Sequence, residues 1–512
     1  MSTVRVRFAP SPTGPLHVGG LRTALYNYLL ARKTGGFFVL RIEDTDQKRY
    51  VAGAEEYIME ALEWCGISPD ESPQKGGNYG PYRQSERRDI YAEYLKKLLA
   101  NGTAYHAFDT EAELNDRRAA EKEKGNHNFR YDASTRMSMR NSLSLKKSEV
   151  EQLLVDGTPH VIRFRIDPGN TVNFKDSVRE SVSFQTEELG DQVLMKADGL
   201  PTYHLANIVD DHLMEITHVI RGEEWLPSTA LHVLLYRAFD WEDSMPAFAH
   251  LPLLLNPNGK GKLSKRDGAK FGFPVFPLRW EDAAKQEVSA GFREEGFLPG
   301  ALVNFLAFLG WNPGTEQEIF SLEELIEAFD IERINKSGAR FDIEKGRWFN
   351  QQYLMAHMDE ELAPLVQNEF NKEGYDIGTD TAAAIAGLLK ERIHVLPEFF
   401  SSGSYFVKAV TDYDEKTIRK KWKTANRDKF DQLADVLAGQ DDWSAAPIKA
   451  AVVAFMEANE LGFGAVLPII RVAISGSVQG PDAFEMLEVV GREESVARLR
   501  NGYDAFEKIK AQ

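Results

Sequence analysis

The chain has 512 residues, of which 43% are hydrophobic and 27% are charged, a composition typical of globular proteins that bury a sizeable core. Its formal net charge of −17 argues against a protein that coats nucleic acid indiscriminately, although it leaves room for local basic tracks. Cys65 is the only cysteine, which excludes an internal disulfide and a zinc site built from several thiolates.

The location of the chain is predicted from its start and its apolar stretches. A strand pattern begins within the first residues, and the longest nearly apolar stretch, residues 301–311, is too short to span a bilayer. We therefore expect no signal or transit peptide, no membrane contact and a cytoplasmic location. The length predicts roughly three or four domains.

The first part of the chain predicts alternating strands and helices. Residues 4–8 alternate like a strand with one buried face, and residues 18–33 place apolar side chains at helical spacing before a pair of glycines. A short apolar strand over residues 37–43 and an amphipathic helix over residues 52–65 follow. Strand, helix, strand and helix in this order predict an α/β fold with a Rossmann-like, doubly wound parallel sheet.

The chain changes character twice further on. After residue 104, a charged helix, polar stretches and a strand-like run indicate an α+β insert, and the nucleotide-fold pattern resumes after residue 190. Past about residue 320 the sequence is helical and polar, with hardly any strand pattern. The expected division is a catalytic nucleotide-binding domain in two halves (1–104 and 191–255), an insert (105–190), a further region (256–345) and an all-α region (346–512).

A loop rich in proline and glycine, RFAPSPTGPLHVGG over residues 7–20, joins the first strand to the first helix. In doubly wound folds this position binds phosphate through the N–H groups and dipole of the helix N-terminus. Neither the GxGxxG of dinucleotide sites nor the GxxxxGK[ST] of phosphate loops is present. His17 could donate a hydrogen bond to a triphosphate, or it could merely cap the helix while Gly19 and Gly20 permit close packing. This motif alone leaves both interpretations open.

A second stretch, NPNGKGKLSKRDG over residues 256–268, places Lys260, Lys262, Lys265 and Arg266 among glycines. Ammonium groups on a flexible loop suit closure over a polyphosphate, where they stabilise negative charge as it develops. For an isolated charge cluster, the plain alternative is a solvated basic loop. The two stretches together favour a nucleotide site.

These stretches resemble the signature motifs of the class I aminoacyl-tRNA synthetases. His17-Val18-Gly19-Gly20 resembles their HIGH motif, and Lys262-Leu263-Ser264-Lys265-Arg266 resembles their KMSKS motif. Longer blocks resemble the glutamate–tRNA ligases within that family: RFAPSPTGPLHVGGLRTALYNYLLARKTGGFFVLRIEDTDQKRY, GPYRQSERRDIY, YHLANIVDDHLMEITHVIRGEEW and FDIEKGRWFN. The resemblance is strong over residues 4–350 and loose over the helical remainder. Gly20 stands where the general motif has histidine, so no side-chain chemistry is assigned to it.

The resemblance implies a two-step reaction that charges tRNA. A glutamate carboxylate attacks the α-phosphorus of ATP and pyrophosphate leaves; the 2′-hydroxyl of the terminal tRNA adenosine then attacks the glutamyl-adenylate. Because the first nucleophile is already an anion, catalysis depends on positioning and charge stabilisation. The resemblance implies ATP as substrate with Mg²⁺ on its phosphates, L-glutamate and tRNA(Glu) as partners, no DNA, and a monomer. The insert lacks the cysteines that hold zinc in some relatives, so we expect no zinc.

The resemblance also implies roles for individual residues. The expected catalytic residues are His17, Lys262 and Lys265. The expected ATP-binding residues are Thr13, His17, Gly19, Gly20, Glu224, Trp225, Leu254, Lys262, Ser264 and Lys265. The expected glutamate-binding residues are Arg7, Ser11, Glu43, Tyr203, Asn207 and Arg221. Because arginine–carboxylate pairs are strong, we expect Arg7 with Tyr203 to bind the side-chain carboxylate and Arg221 the α-carboxylate, while Glu43 binds the ammonium group.

Taken without the resemblance, several of these residues have plainer interpretations. Arg7 could be an ordinary exposed residue on a strand, and the acidic residues 43–46 could form a solvated turn. A metal site is suggested by four further residues, but no regular ligand spacing appears among them, so polar roles in the core or beside the site are favoured: Asp210, Asp211, His212 and His218.

The RNA-binding surface is predicted less sharply. The segment TIRKKWKTANRDKF over residues 417–430 surrounds Trp422 with cations, which would suit stacking and phosphate contacts or simply a solvated helix face. The resemblance implies that the helical C-terminal region binds the anticodon, that residues 256–345 contact the tRNA stem, and that the insert receives the acceptor end.

Four other functions remain to be weighed. A glutamine-specific ligase shares the catalytic half but usually carries β-barrels for anticodon binding, and a glutamyl-queuosine-forming enzyme lacks the anticodon half. A catalytically dead RNA-binding paralogue would have no need of His17, Lys262 and Lys265. Small nucleotidylyltransferases share an HxGH motif but are far shorter than this chain. The sequence therefore favours the glutamate–tRNA ligases.

Overall fold

The computed structural model describes residues 3–282 and 286–511. Within these ranges the β-strands are β1 (Arg5–Phe8), β2 (Phe37–Leu40), β3 (Ala104–Ala107), β4 (Val161–Phe164), β5 (Thr171–Asp176), β6 (Glu180–Gln185), β7 (Val193–Met195), β8 (His218–Gly222), β9 (Ala247–Leu251), β10 (Leu254–Leu255), β11 (Trp280–Asp282), β12 (Glu287–Ser289) and β13 (Ala339–Arg340).

The α-helices of the same ranges are α1 (Val18–Lys33), α2 (Ala54–Trp64), α3 (Arg88–Ala100), α4 (Glu111–Glu123), α5 (Lys147–Val155), α6 (Tyr203–Leu213), α7 (Leu226–Ala238), α8 (Lys265–Phe271), α9 (Pro299–Ala307), α10 (Leu322–Ala328), α11 (Ile343–Ala356), α12 (Asp359–Lys372), α13 (Thr379–Leu389), α14 (Glu398–Gly403), α15 (Glu415–Lys421), α16 (Arg427–Ala438), α17 (Ala445–Ala458), α18 (Phe463–Ser475), α19 (Ala483–Val490) and α20 (Arg492–Ala511). Across the part of the chain that the structure covers, no helix combines the length and apolar content that crossing a bilayer requires.

The chain divides into two compact units. The first contains the described residues up to 294 together with residues 302–343, and the second contains residues 295–301 and the described residues from 344 onward. From residue 344 to residue 511 the second unit is helical and has no strand. Its core is built from apolar and aromatic side chains of these helices, including Leu362, Phe370, Ile470 and Tyr503.

The first unit is organised around a six-stranded sheet with the order β2-β1-β8-β9-β5-β6. The first five strands run parallel, and only β6 runs antiparallel to its neighbour β5. All four residues of β1 are buried, as expected for a strand near the centre of a sheet that helices cover on both faces. The predicted doubly wound parallel sheet is confirmed.

The crossover from β1 to β2 determines where the site forms. Helix α1 spans residues 18–33 as predicted, and its side chains Leu21, Leu25 and Leu29 are buried. Strand β2 pairs with β1 only as far as Leu40, where the predicted strand continued to residue 43. Past Leu40 the N–H groups of Arg41 and Glu43 still donate to the carbonyls of Phe8 and Pro10. The side chains of Arg41 and Glu43 enter an ion-pair network described below.

Strand pairing in the first unit crosses the boundaries predicted for the insert, residues 105–190. Strands β3, β4 and β7 form a separate antiparallel sheet, although β7 lies after residue 190. The hairpin of β5 and β6 lies within residues 105–190 but extends the main sheet. Strand partners are non-local, so a strand pattern in the sequence does not reveal which sheet the strand joins.

Candidate active site

A cavity of about 1010 Å³ lies at the carboxyl ends of β1, β8 and β9 in the first unit. This is the edge at which open parallel sheets bind their ligands. Every residue predicted above to bind ATP or glutamate lines this one cavity: Arg7, Ser11, Thr13, His17, Gly19, Gly20, Glu43, Tyr203, Asn207, Arg221, Glu224, Trp225, Leu254, Lys262, Ser264 and Lys265.

His17 is the N-cap of α1, and its side chain has a defined hydrogen-bonding state. The Nδ1 atom accepts a hydrogen bond from the N–H of Gly19 at 3.1 Å. Burial, and then the charges of Lys265 and Lys262, lower the pKa of His17 to about 4. The imidazole is therefore neutral near pH 7, and its single proton is on Nε2 because Nδ1 is an acceptor.

The Nε2 atom of His17 is buried and forms no hydrogen bond of good geometry in the described structure, although the backbone of Ser264 is near enough to act on the pKa of the ring in the raising direction. A buried N–H donor without a partner is rare in proteins and is often completed by water or a ligand. The capping role and the predicted phosphate-binding role of His17 are therefore compatible, because each uses a different ring nitrogen.

We expect His17 to stay neutral, as the Nε2–H tautomer, from about pH 5 to pH 8, since its lowered pKa lies below this range. The ¹⁵N shifts of histidine-labelled protein, assigned with a His17→Gln variant, should show no titration of this ring between these pH values. A His17 midpoint near 6.5 would contradict the lowered pKa and would make the group a cation in mildly acidic solution.

The glycines that follow His17 differ in what they permit. A Cβ added to Gly20 would lie 2.6 Å from Cδ1 of Leu16, closer than carbon atoms approach without a shift. A Cβ on Gly19 would meet only ordinary contacts, with Nδ1 of His17 at 3.5 Å. Close packing against Leu16 therefore explains Gly20. Gly19 has room for a side chain, and its role in the structure is to donate its backbone N–H to the capping side chain of His17.

The basic loop is held beside His17 by short backbone contacts. The N–H of Leu263 donates to the carbonyl of Leu254 at 2.7 Å, so residues 255–262 fold back as a narrow hairpin. Ser264 then begins α8 with a capping box, in which its backbone N–H and hydroxyl both donate to Asp267. This arrangement places Lys262, Ser264 and Lys265 on the cavity wall.

The two lysines of this loop contact different parts of the cavity. The Nζ of Lys262 donates to Oε1 of Glu224 at 2.5 Å, and both side chains are substantially exposed. The Nζ of Lys265 lies 5.7 Å from the ring centroid of Phe276, and a Cβ on Gly14 would lie 3.0 Å from it. Lys265 therefore lies against the same loop that carries His17.

The other half of the cavity contains a buried network of charges. Arg7 is 3% exposed and its Nε donates to Oδ1 of Asp211 at 3.1 Å. The same carboxylate accepts from Nη1 of the fully buried Arg41 at 2.7 Å. Burial raises the pKa of Asp211, but Arg7 and Arg41 outweigh this effect and leave it below its usual value. Asp211 is therefore an anion that holds Arg7 in place.

Glu43 is also held by this network. Its Oε1 accepts from Nη2 of Arg41 at 3.1 Å and from Nδ2 of Asn207 at 3.2 Å. Burial raises the pKa of Glu43 above its usual value, although the charges of Arg41 and Arg7 act in the opposite direction. The plain interpretation of Arg7 as an exposed strand residue is wrong, because its side chain is buried. The solvated turn is wrong for Glu43 and Asp44, which are buried, whereas the side chain of Asp46 is 43% exposed.

Arg221 is fixed by hydrogen bonds from three of its nitrogens. Its Nη1 donates to the hydroxyl of Tyr203 at 2.7 Å, and its Nη2 donates to Oγ1 of Thr229 at 2.8 Å. Its Nε donates to Nε2 of His250 at 3.1 Å. The ring of Tyr203 in turn lies 4.6 Å from that of Trp225, which is 41% exposed and belongs to the cavity rather than to the core.

Sequence reasoning missed the residues that hold these arginines. Arg41 was not singled out. Asp211 was considered only as a metal ligand or as a polar core residue, and its ion pairs with Arg7 and Arg41 support the polar core role. His250 and Asp176 were also missed. A signal existed only for Asp211, because a charged residue in a strongly apolar helix pattern needs a partner of opposite charge.

The acidic residues that line the cavity do not fit a metal ion held by the protein, because each is paired with a cation. The pairs are Glu43 with Arg41, Asp46 with Arg49, Asp198 with Lys196, and Glu224 with Lys262. Among residues 3–282 and 286–511, no group of three or more histidine, cysteine or carboxylate side chains is arranged to hold a metal. The expected lack of a zinc site stays a prediction.

Comparisons with known proteins agree with this geometry. Residues 3–348 match the family model described as tRNA synthetases class I (E and Q), catalytic domain, and residues 355–503 match the model of an anticodon binding domain. The chain belongs to the class I tRNA synthetases. The resemblance noted from the motifs is thereby confirmed, and with it ATP as a substrate.

Several relatives of this synthetase match it over nearly their whole length. It is 53% identical to a glutamate–tRNA ligase of Phocaeicola vulgatus, over 98% of this chain and 99% of the relative. It is 51% identical to a glutamate–tRNA ligase of Christiangramia forsetii, over 99% of each chain. The crystal structure of a glutamate tRNA ligase from Elizabethkingia meningosepticum, in complex with its amino acid, matches with a TM-score of 0.95 at 49% identity, over 99% of this chain and 100% of that one.

One of the two interpretations left open for residues 417–430, a stacking surface around Trp422, is wrong. The side chain of Trp422 is fully buried in the second unit, where its ring stacks on Tyr503 and its Nε1 donates to Glu507 at 2.9 Å. It is therefore not a stacking surface for RNA. Nearby cations have acidic partners, such as Arg427 with Asp431 at 2.8 Å. Flanking charges in a sequence do not show which side of a short helix faces the core.

Proposed function

We propose that this synthetase attaches L-glutamate to tRNA(Glu) in two steps, through glutamyl-adenylate. The single observation that carries the proposal is the composition of the cavity. One end has a neutral imidazole N–H donor and two lysines, which suit a triphosphate, and the other has two held arginines and a carboxylate, which suit an amino acid with two carboxylates. The full-length similarity to glutamate–tRNA ligases supports the same conclusion.

The residues at the triphosphate end act on the charge that develops as pyrophosphate leaves. The Nε2–H of His17 donates to a phosphate oxygen, and Lys262 and Lys265 bring positive charge to the same group. Because Lys262 is paired with Glu224 at 2.5 Å, binding of ATP exchanges that partner for a phosphate. Trp225 and Leu254 border the adenosine.

The residues at the amino-acid end orient the nucleophile. Arg7 and Tyr203 bind the side-chain carboxylate, Arg221 binds the α-carboxylate, and Glu43 binds the ammonium group. The α-carboxylate is an anion at neutral pH, so attack on the α-phosphorus needs no general base, and holding the two reactants in line supplies much of the rate. Mg²⁺ enters with the substrate as Mg–ATP, since the carboxylates of the cavity are already paired.

The second step brings the end of tRNA to the adenylate. We propose that the helical region over 346–512 binds the anticodon, that residues 256–345 contact the tRNA stem, and that the insert guides the acceptor end so that its 2′-hydroxyl attacks the adenylate. The match of residues 355–503 to an anticodon binding domain supports the first of these roles. We also propose that the enzyme works as a monomer in the cytoplasm.

The proposal predicts glutamate-dependent exchange of pyrophosphate into ATP. Exchange should be measured with glutamate and with glutamine, each with and without purified tRNA(Glu), so that a tRNA requirement for activation is not mistaken for inactivity. We expect exchange with glutamate only. Exchange with glutamine and not glutamate would overturn the substrate assignment, and no exchange under any of the four conditions would overturn the enzyme assignment.

A further inference from the structure

We propose that Asp176 and His250 are positioning residues for the amino-acid site: they hold Arg221 in the orientation that binds the substrate α-carboxylate. The proposal rests on the function proposed above for Arg221. Neither Asp176 nor His250 lines the cavity, so neither touches the substrate, and both act only through the guanidinium.

The three residues are aligned by the sheet. Arg221 in β8 and His250 in β9 are direct partners across the parallel pair, and Asp176 is the last residue of β5, which pairs with β9 on its other side. Nδ1 of His250 lies 2.6 Å from Oδ2 of Asp176, and Nε2 of His250 lies 3.1 Å from Nε of Arg221. The side chains of Asp176 and His250 are both fully buried.

The position of the proton on His250 follows from its partners. The Nε of Arg221 can only donate, so Nε2 of His250 must be the acceptor and the proton must be on Nδ1. That N–H donates to Asp176, which can only accept when ionised. Burial lowers the pKa of His250 and outweighs the effect of Asp176, so the ring is neutral and has a single tautomer.

Asp176 is itself oriented by the backbone. Its Oδ1 accepts from the N–H groups of Val178 at 2.9 Å, Arg179 at 2.8 Å and His250 at 3.3 Å. Only Oδ2 is therefore directed at the imidazole. An asparagine at this position would keep its carbonyl oxygen on these three donors and would turn its NH₂ group toward Nδ1 of His250.

This orientation makes Asp176→Asn a switch of tautomer with almost no change in shape. The asparagine NH₂ donates to Nδ1, the proton of His250 moves to Nε2, and this N–H then opposes the N–H at Nε of Arg221. Oγ1 of Thr229 also lies 3.1 Å from Nε2 of His250 and can accept this proton, but in either case Nε of Arg221 loses its acceptor and the contacts of the guanidinium with Tyr203 and Thr229 are disturbed. We expect the KM for glutamate to rise about 10- to 100-fold, as for a buried donor left without its acceptor, while the KM for ATP changes by no more than about twofold.

A double-mutant cycle separates positioning from a structural role. In His250→Gln, the side-chain carbonyl can accept from Arg221 without a tautomer to be set. Asp176→Asn should therefore raise the KM for glutamate about 10-fold or more in the native background but no more than about twofold in the His250→Gln background. Equal effects in the two backgrounds would overturn the proposal.

The matched control is Asp191→Asn, which neutralises another buried carboxylate of the first unit, one that accepts from Tyr105 and from the backbone of Ile166. It should lower the melting temperature without changing the KM for glutamate relative to that for ATP. If Asp176→Asn lowers only the maximal exchange rate and the melting temperature, as a loss of folded protein would, and leaves both KM values unchanged, Asp176 has only a structural role.

The tautomer can also be observed in the unmodified protein, so the proposal does not depend on a variant that folds. In ¹⁵N-histidine spectra, the ring assigned with His250→Gln should have its proton on Nδ1 in the native protein and on Nε2 in Asp176→Asn. A proton on Nε2 in the native protein would overturn the proposal. Native enzyme without glutamate-dependent exchange would instead overturn the proposed function.

Discussion

Replacing Lys265 by alanine is expected to lower the rate of glutamate-dependent ATP–pyrophosphate exchange about 100- to 1,000-fold, the usual effect of removing one group that stabilises transition-state charge. The ammonium group lies against the loop of His17, and its charge already lowers the pKa of that imidazole. Lys265 is exposed at the start of α8, so its removal should change the melting temperature little. The readouts are kcat in the exchange assay and thermal unfolding.

The matched control is Lys260→Ala, which removes a lysine from the same basic loop. Lys260 is exposed and does not line the cavity. It should keep exchange within about twofold of the native rate, since a solvent-exposed charge outside the cavity is largely screened by salt. Equal losses in the two variants would mean that the loop acts through its overall charge, and an unchanged rate in Lys265→Ala would remove the loop from the mechanism.

Replacing Arg7 by alanine is expected to raise the KM for glutamate by about two orders of magnitude, because truncating one partner of a buried, hydrogen-bonded charge pair costs about 2–5 kcal/mol. Arg7 is held by Asp211, and that carboxylate keeps Arg41 as a partner after the substitution, so the network loses one cation rather than all its support. The KM for ATP should change far less. Both constants come from the exchange assay with one substrate varied at a time.

Arg5→Ala provides the comparison, since Arg5 lies on the same strand but does not line the cavity. Its guanidinium forms two hydrogen bonds with Glu71, at 3.0 and 2.9 Å, and both side chains are buried. Its removal should therefore lower the melting temperature and leave the KM for glutamate within a few-fold of the native value. Equal changes of this KM in the two variants would contradict the assignment of Arg7.

Each motif of the phosphate-binding half could be recognised in the sequence because its own geometry is local. His17 caps the helix that its own loop enters, and Lys262 and Lys265 lie on one short loop held by Leu254 and Leu263. Two motifs about 245 residues apart meet because β1 and the segment after β9 end at the same edge of one parallel sheet. The order of strands and helices predicted this edge for the first motif, and the family resemblance predicted that the second motif joins it.

The residues that hold the arginines could not be predicted in the same way. Asp176 was assigned to the insert, whereas its strand joins the main sheet beside β9 and brings its carboxylate to His250. Arg41 lies two residues from Glu43 in a stretch expected to continue a strand, and it turns inward to pair with Asp211. The contacts of Asp176 with His250 and of Arg41 with Asp211 join residues far apart in the chain, and a single sequence has no local pattern that specifies them.

Trp422 shows the reverse case, in which the sequence suggested a surface role for a residue that belongs to the core. Its neighbours in the sequence are lysines and arginines, which suggested an RNA surface, yet its ring packs among Phe430, Tyr503 and Phe506. Burial stabilises a large aromatic side chain, and the neighbouring lysines can keep their ammonium groups in solvent at the same time, so the two preferences do not conflict. We therefore expect the RNA-binding surface proposed for the second unit to lie among its exposed cations.

A crystal structure with a non-hydrolysable ATP analogue and glutamate tests the central claim most directly. The account predicts the triphosphate in the cavity, with Nε2 of His17 and Nζ of Lys265 both within hydrogen-bond distance of its oxygens, and the two glutamate carboxylates on Arg7 and Arg221. A triphosphate that contacts only one of the two motifs, or that lies outside this cavity, would contradict it.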